Sequence, residues 1–170
     1  VTIKDSAGLA WLISVVNGYN CQNARTFRYN RVYIDFDSVN MSRYRWTPIG
    51  NRNNPFEGEI YVNSGKKAKI TGINVNETTV PLLGMFGYVN RAKLNGINLD
   101  STLISGISYV GGLVGYADTN TQINKVSMKN IHLFGEQYTG GIAAQAYRTT
   151  FDCDTIRSVS FRGNAVTAGG

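Results

Sequence analysis

One histidine, two cysteines and three prolines are all that 170 residues contain of those types. Two thiols, Cys21 and Cys153, cannot build a disulfide framework. The single histidine, His132, lies between Ile131 and Leu133, so a base for a nucleophilic triad is lacking elsewhere and His132 reads as an ordinary strand residue. Pro48, Pro55 and Pro81 all fall in the first half, which leaves turns in the second half to glycine and asparagine. No apolar run approaches the ~20 residues of a membrane-spanning helix. Leu9 to Val16 is too short, and no basic region precedes it as in a secretion signal. No glycine-rich phosphate loop stands between a strand and a helix. There is no initiator methionine, so the chain reads as a processed or excised piece.

Acids are also scarce, 11 against 17 Lys and Arg, for a formal charge of +6. The excess sits in residues 1–69, where ten cations face five acids. Such an end suits an anionic surface or polysaccharide, or serves solubility and protection of strand edges. Tyr29 and Tyr44 among Arg25, Arg28, Arg31, Arg43 and Arg45 have the ingredients for stacking bases, but charge alone carries that idea and no nucleic-acid partner is expected.

What the chain has in plenty is glycine, 19 residues, and a phrase that recurs. Gly84-Met85-Phe86-Gly87 is followed by Gly112-Leu113-Val114-Gly115 and Gly141-Ile142-Ala143-Ala144, and the chain stops at Gly169-Gly170. A fixed period near 29 residues signals stacked repeats. Between the phrases lie short strands patterned apolar-x-x-apolar-x-apolar: Ile70/Ile73/Val75, Leu94/Ile97/Leu99, Ile123/Val126/Met128 and Ile156/Val159/Phe161. Each is too short to form a sheet alone. Stacked in parallel on its neighbours, each satisfies its backbone and fills a slim apolar axis.

The expected fold is therefore all-β: a right-handed parallel β-helix with an N-terminal capping α-helix. The pattern predicts Val75, Leu99, Met128 and Phe161 in one inward file and Ile73, Ile97, Val126 and Val159 in another. The glycine pairs are expected at corners, where a Cβ would clash or φ must be positive. A helix is predicted over residues 5–17, with Asp5 or Ser6 as N-cap, Leu9, Leu12, Ile13 and Val16 on one face, and Asn17-Gly18 as the stop. It plugs the apolar end of the stack. Residues 1–45 form this cap with the first strands, including Arg31–Phe36 with Val32, Ile34 and Phe36 inward. Residues 46–170 form the turns, the last one incomplete. Cys153 then lies several layers from Cys21, beyond the roughly 7 Å reach of a disulfide, so two free thiols are expected.

The three glycine phrases resemble the GLUG-motif family of bacterial surface, adhesin-like proteins, with Ala144 departing at the last glycine. The upstream layout is similar too: Leu9-Ala-Trp-Leu12 in a helix ending Val16-Asn-Gly18, then Trp46-x-Pro-Ile-Gly50, then Phe56-x-Gly-x-Ile60. The family's Asp-Gly-Asn-Gly turn is replaced by Tyr61-Val-Asn-Ser-Gly65. The resemblance spans residues 6–163. It implies an extracellular or outer-surface bacterial location, a β-helix, and no catalytic residues to carry over.

Candidate sites follow from the stacking. Tyr88 and Tyr116 come just after a glycine phrase and Tyr109 and Tyr138 just before one, so they form two tyrosine rows on one face. Such rows either bind a glycan or protein ligand or simply pack on each other. Asp152-Cys153-Asp154 is the only acidic pair in one loop, too few oxygens for calcium, and neither a metal nor a cofactor is expected. Asp5-Ser6-Ala7, Asp37-Ser38-Val39, Asp100-Ser101-Thr102 and Asp154-Thr155-Ile156 match a short bacterial O-glycosylation pattern. The reading is a non-enzymatic surface module for adhesion or binding, or a spacer, with further repeats or domains beyond Gly170 as partners. The alternative is a lyase or hydrolase on acidic polysaccharide, for which Glu57 and Glu59 are the nearest carboxylate pair.

Overall fold

The computed structural model describes residues 1–19, 29–152, 155–163 and 167–169. Cys21, Cys153, Arg25, Arg28, Asp154 and Gly170 lie outside them. So the free-thiol expectation, the paired acids of the 152–154 loop, the Asp154 triplet and part of the basic–aromatic cluster are not described.

The chain winds into a β-solenoid of about five turns, every strand pair parallel. Each full turn visits four sheets in the same order. The strand Lys93–Asn95 belongs to the first, Asn98–Gly106 to the second, Tyr109–Gly111 to the third and Val114–Asp118 to the fourth. The next turn repeats this with Gln122–Asn124, Ser127–Gly135, Tyr138–Gly140 and Ala143–Ala146.

The helix Ser6–Asn17 forms for the reasons its sequence supplies. The Asp5 carboxylate accepts the backbone N–H of Gly8 at 2.8 Å, and Gly18 adopts φ of 80° to close the C-terminus. Leu9, Leu12, Ile13 and Val16 are buried and belong to the same core cluster as Ile34, Phe36 and Val39. Burying each is worth roughly 1.5–3 kcal/mol. The helix follows Thr2–Ile3, the edge strand of the first sheet, so it covers the end of the stack. Val32, Ile34 and Phe36 point inward as the alternation requires, with Tyr33 outward.

The inward files exist, but in a different register from the predicted one. Leu99 and Met128 stack with Ile70 and Ile156. Val75 and Phe161 stack instead with Ile104 and Leu133. Val159 stacks on Ile131 and Thr102, not on Val126, and Leu94 and Ile123 join Val32, Ile60 and Phe151 on the first sheet. The physical reason is a five-residue degeneracy. In the complete turns the inward positions run 94, 97, 99, 102, 104 and 123, 126, 128, 131, 133, so the pattern repeats every five residues within one turn. The first and fourth copies align with the second half of this run. Thr102, a buried polar residue in the file, hides that half in one turn.

The corners are made in two ways, and the glycine phrases supply only one of them, by close approach. Each apolar-x-x-apolar step encloses a left-handed residue: φ is 80° at Gly96 and 52° at Lys125, and 71°, 53°, 53° and 54° at Gly72, Ser101, Asn130 and Ser158. The recurring glycine phrases have no positive φ. They are glycine because space is lacking. A Cβ on Gly84 would lie 2.7 Å from Phe86 O, and one on Gly115 2.7 Å from Leu83 N. On Gly112 it would collide with Gly141 O and Met128 Cε. The phrases stack in register, with Phe86, Val114 and Ala143 as partners. At the Tyr61–Gly65 turn, Lys66 N–H reaches Asn63 O at 3.0 Å and Gly65 takes φ of 77°.

Candidate functional site

Because the glycine phrase turns the chain sharply between the third and fourth sheets, the residues flanking it meet. Tyr109 and Tyr138 stack at 4.9 Å between ring centroids, nearly parallel at 10°. Tyr88 and Tyr116 stack at 5.3 Å and 14°. The rows stand on two adjacent sheets rather than one face, and Tyr109 meets Tyr116 edge-on at 6.1 Å and 74°. All four predicted tyrosines thus form one cluster. Offset and edge-on ring pairs contribute about 0.5–1.5 kcal/mol each beyond burial. Tyr138 is the most open, at 41% exposure; the other three are half-buried.

The inner end of the cluster is fixed by a hydrogen bond. The Tyr88 hydroxyl donates to Asp118 Oδ2, one turn on. Burial, then this acceptor and its charge, push the Tyr88 phenol above its ordinary range. The same bond, together with donation from Thr119 N–H at 2.7 Å, holds the Asp118 carboxyl below its ordinary range.

The other sequence candidates are dispersed. Glu59 accepts from Arg31 at 2.7 Å and Lys93 at 2.9 Å, its partners on the turns either side. Lys93 and then Arg31 keep its carboxyl below the ordinary range. Glu57 accepts instead from Asn90 at 2.9 Å, so the structure does not join the two glutamates into an acid–base pair. His132 lies exposed on the second sheet, with Nδ1 2.7 Å from Ser160 Oγ. Of the glycosylation triplets, Asp5 is the helix cap, and Ser38 and Ser101 are exposed. Among the described residues no group of three potential metal ligands occurs, and no helix is long and apolar enough to cross a membrane.

Sequence reasoning missed a cleft of about 460 Å³ between residues 45–53 and 75–82. Its floor is Trp46, Pro48, Val75 and Leu82, and Arg45, Arg52, Asn53 and Asn76 stand around it. It adjoins the tyrosine cluster: Leu82 pairs with Tyr109, and the charge of Arg52 acts on the Tyr88 phenol. The only sequence signal was the polar stretch Asn51-Arg52-Asn53-Asn54, which reads as a loop. The chain matches no family model, no curated protein and no solved structure.

Proposed function

We propose that the chain is a non-enzymatic binding module of an extracellular bacterial surface protein, with the tyrosine cluster as its contact surface for a glycan or protein ligand. The observation that carries this reading is the cluster itself: four rings in two in-register pairs, spread over three turns of the solenoid. Aromatic faces of this kind present a large contact area at little cost in side-chain entropy. The stacked glycine phrases support the resemblance to GLUG-motif proteins, and with it the surface location. The commitment of Glu59 to Arg31 and Lys93 favours binding over acid–base chemistry at that strand.

A glycan array together with immobilised matrix proteins tests the reading. Binding is expected to weaken at least tenfold in Tyr138→Ala and Tyr109→Ala, with far-UV circular dichroism unchanged. A bound ligand indifferent to both substitutions removes the tyrosine surface as the site.

A further inference from the structure

We infer that the cleft between residues 45–53 and 75–82 is a subsite for a carboxylate-bearing sugar, with Arg52 as its anion contact. Its volume, about 460 Å³, falls in the range of small-ligand sites. The floor is built rather than accidental. The Trp46 indole N–H donates to Met85 O at 3.1 Å, and Trp46 is 2% exposed.

The two arginines at the rim differ. Arg45 donates to Glu77 Oε2 at 2.9 Å. The other oxygen of Glu77 takes Thr78 N–H, Thr79 N–H and the Thr79 hydroxyl. Both oxygens of Glu77 are therefore engaged, and one of them fixes Arg45 at the cleft edge. Arg52 is exposed and has no ion pair among the described residues. The cleft thus carries two cations against one fully engaged acid. A free guanidinium presents a planar fork that fits a carboxylate through two parallel hydrogen bonds.

The remaining groups select a sugar over a bare anion. The side-chain amides of Asn53 and Asn76 make no hydrogen bond among the described residues, and each offers two donors and an acceptor to hydroxyl groups. Tyr19, 63% exposed, stands at the rim as an aromatic face. The cleft residue Leu82 pairs with Tyr109 and the charge of Arg52 acts on Tyr88, so the cleft neighbours the tyrosine cluster. The inference shares the ligand class of the glycan reading above but stands without binding at the tyrosines.

Isothermal titration of the 170-residue chain with an oligogalacturonate and a hyaluronan tetrasaccharide, each beside a neutral oligosaccharide of equal length, tests it. At least one acidic sugar is expected to bind ten times more tightly or better than its neutral counterpart. Arg52→Ala is expected to lose at least tenfold of that affinity and Arg52→Lys less, with unchanged thermal melting because Arg52 is exposed and unpaired. Tyr138→Ala is expected to leave monosaccharide uronate binding, followed by chemical-shift changes at Asn53 and Asn76, intact. The inference is overturned by no binding of either acidic sugar at millimolar concentration, by equal binding of the neutral sugar or of an aspartate-rich peptide, or by an Arg52→Ala variant that binds normally. Binding lost only in the tyrosine variants overturns the cleft and leaves the tyrosine surface standing. The converse result removes the tyrosines alone.

Discussion

Asn17, the last residue of the helix, accepts the backbone N–H of Gly50 on its side-chain oxygen at 2.8 Å. The same amide donates to Pro48 O at 2.9 Å, and Asn17 is 6% exposed. A buried amide with both ends used fastens the cap to the first turn. It also explains why Gly50 is glycine: φ is 80°, and a Cβ would lie 2.5 Å from Tyr88 O. Asn17→Leu removes both bonds and strands two buried backbone groups, a loss of about 2–4 kcal/mol by the cost of unmet buried polar groups. Urea unfolding measures it, and Asn17→Asp, which keeps the acceptor but buries a carboxylate oxygen against Pro48 O, is expected to lose at least as much at neutral pH.

Thr102 offers the opposite case. Its hydroxyl is fully buried without a hydrogen-bond partner among the described residues, in a file whose neighbouring member is Ile131. Thr102→Val keeps the shape and removes the unmet group, so it is expected to stabilise the chain by about 1 kcal/mol. A fall in the unfolding midpoint would contradict the placement.

The glycine phrases act through space and not through φ. Gly112→Ala drives a Cβ into Gly141 O and Met128 Cε, and is expected to cost about 3 kcal/mol or more, as overpacking against backbone does. Gly65→Ala meets no atom within 4 Å but sits at φ of 77°, and is expected to cost only about 1 kcal/mol from left-handed strain. Thermal melts of the two variants, side by side, separate steric from conformational cost.

Acid is expected to weaken the stack at its surface. Glu59, Asp100 and Asp118 are all held below their ordinary ranges, chiefly by Lys93, Lys69 and Tyr88 respectively. A depressed carboxyl contributes stability that is present above its unfolded value, 4.5 for Glu and 3.8 for Asp, and is lost as pH falls through the lower folded value. The unfolding midpoint in urea is thus expected to be flat from pH 7 to 5 and to drop below about pH 4, the ordinary carboxylate range. Lys69→Met should reduce that drop by removing the partner of Asp100. A midpoint that rises on acidification would refute this.

Tyr88 is expected to be among the last phenols to ionise. Its pKa is raised, so the stability it adds is present below the ordinary tyrosine value of 10.0 and lost as pH rises through the higher folded value. An alkaline ultraviolet titration of wild type against Tyr88→Phe isolates this phenol. The variant is expected to lack the latest step and to lose about 1.5–3 kcal/mol, the scale of a hydrogen bond to a charged group.

Much of the architecture was written locally. Asp5, the face Leu9/Leu12/Ile13/Val16 and Gly18 specify a capped helix through contacts within a few residues, and alternation at Val32/Ile34/Phe36 specifies a strand with one side buried. The spacing of the glycine phrases set the repeat, since stacked turns must return to the same place after about 29 residues. Register was another matter. Sliding the first and last apolar triplets by five residues leaves the inward pattern intact, so the sequence could not say whether Val75 meets Leu99 or Ile104. Pairing between turns decided it, because Ile104 is the partner whose backbone ladder also satisfies Asn74 to Glu77.

The tyrosines were legible as equivalent positions, since equivalent residues of a solenoid must stack. That Tyr109 and Tyr116 meet edge-on was not, because the angle between the third and fourth sheets depends on how closely Gly111 and Gly112 let neighbouring backbones approach. The cleft was invisible for the same reason: Arg52 and Asn76 are joined by no motif, only by the way the 51–54 loop and the strand Asn74–Glu77 come together at Trp46. Local patterns carry what one turn does to itself and its repeat; geometry between turns, where close approach and register decide, belongs to the tertiary structure alone.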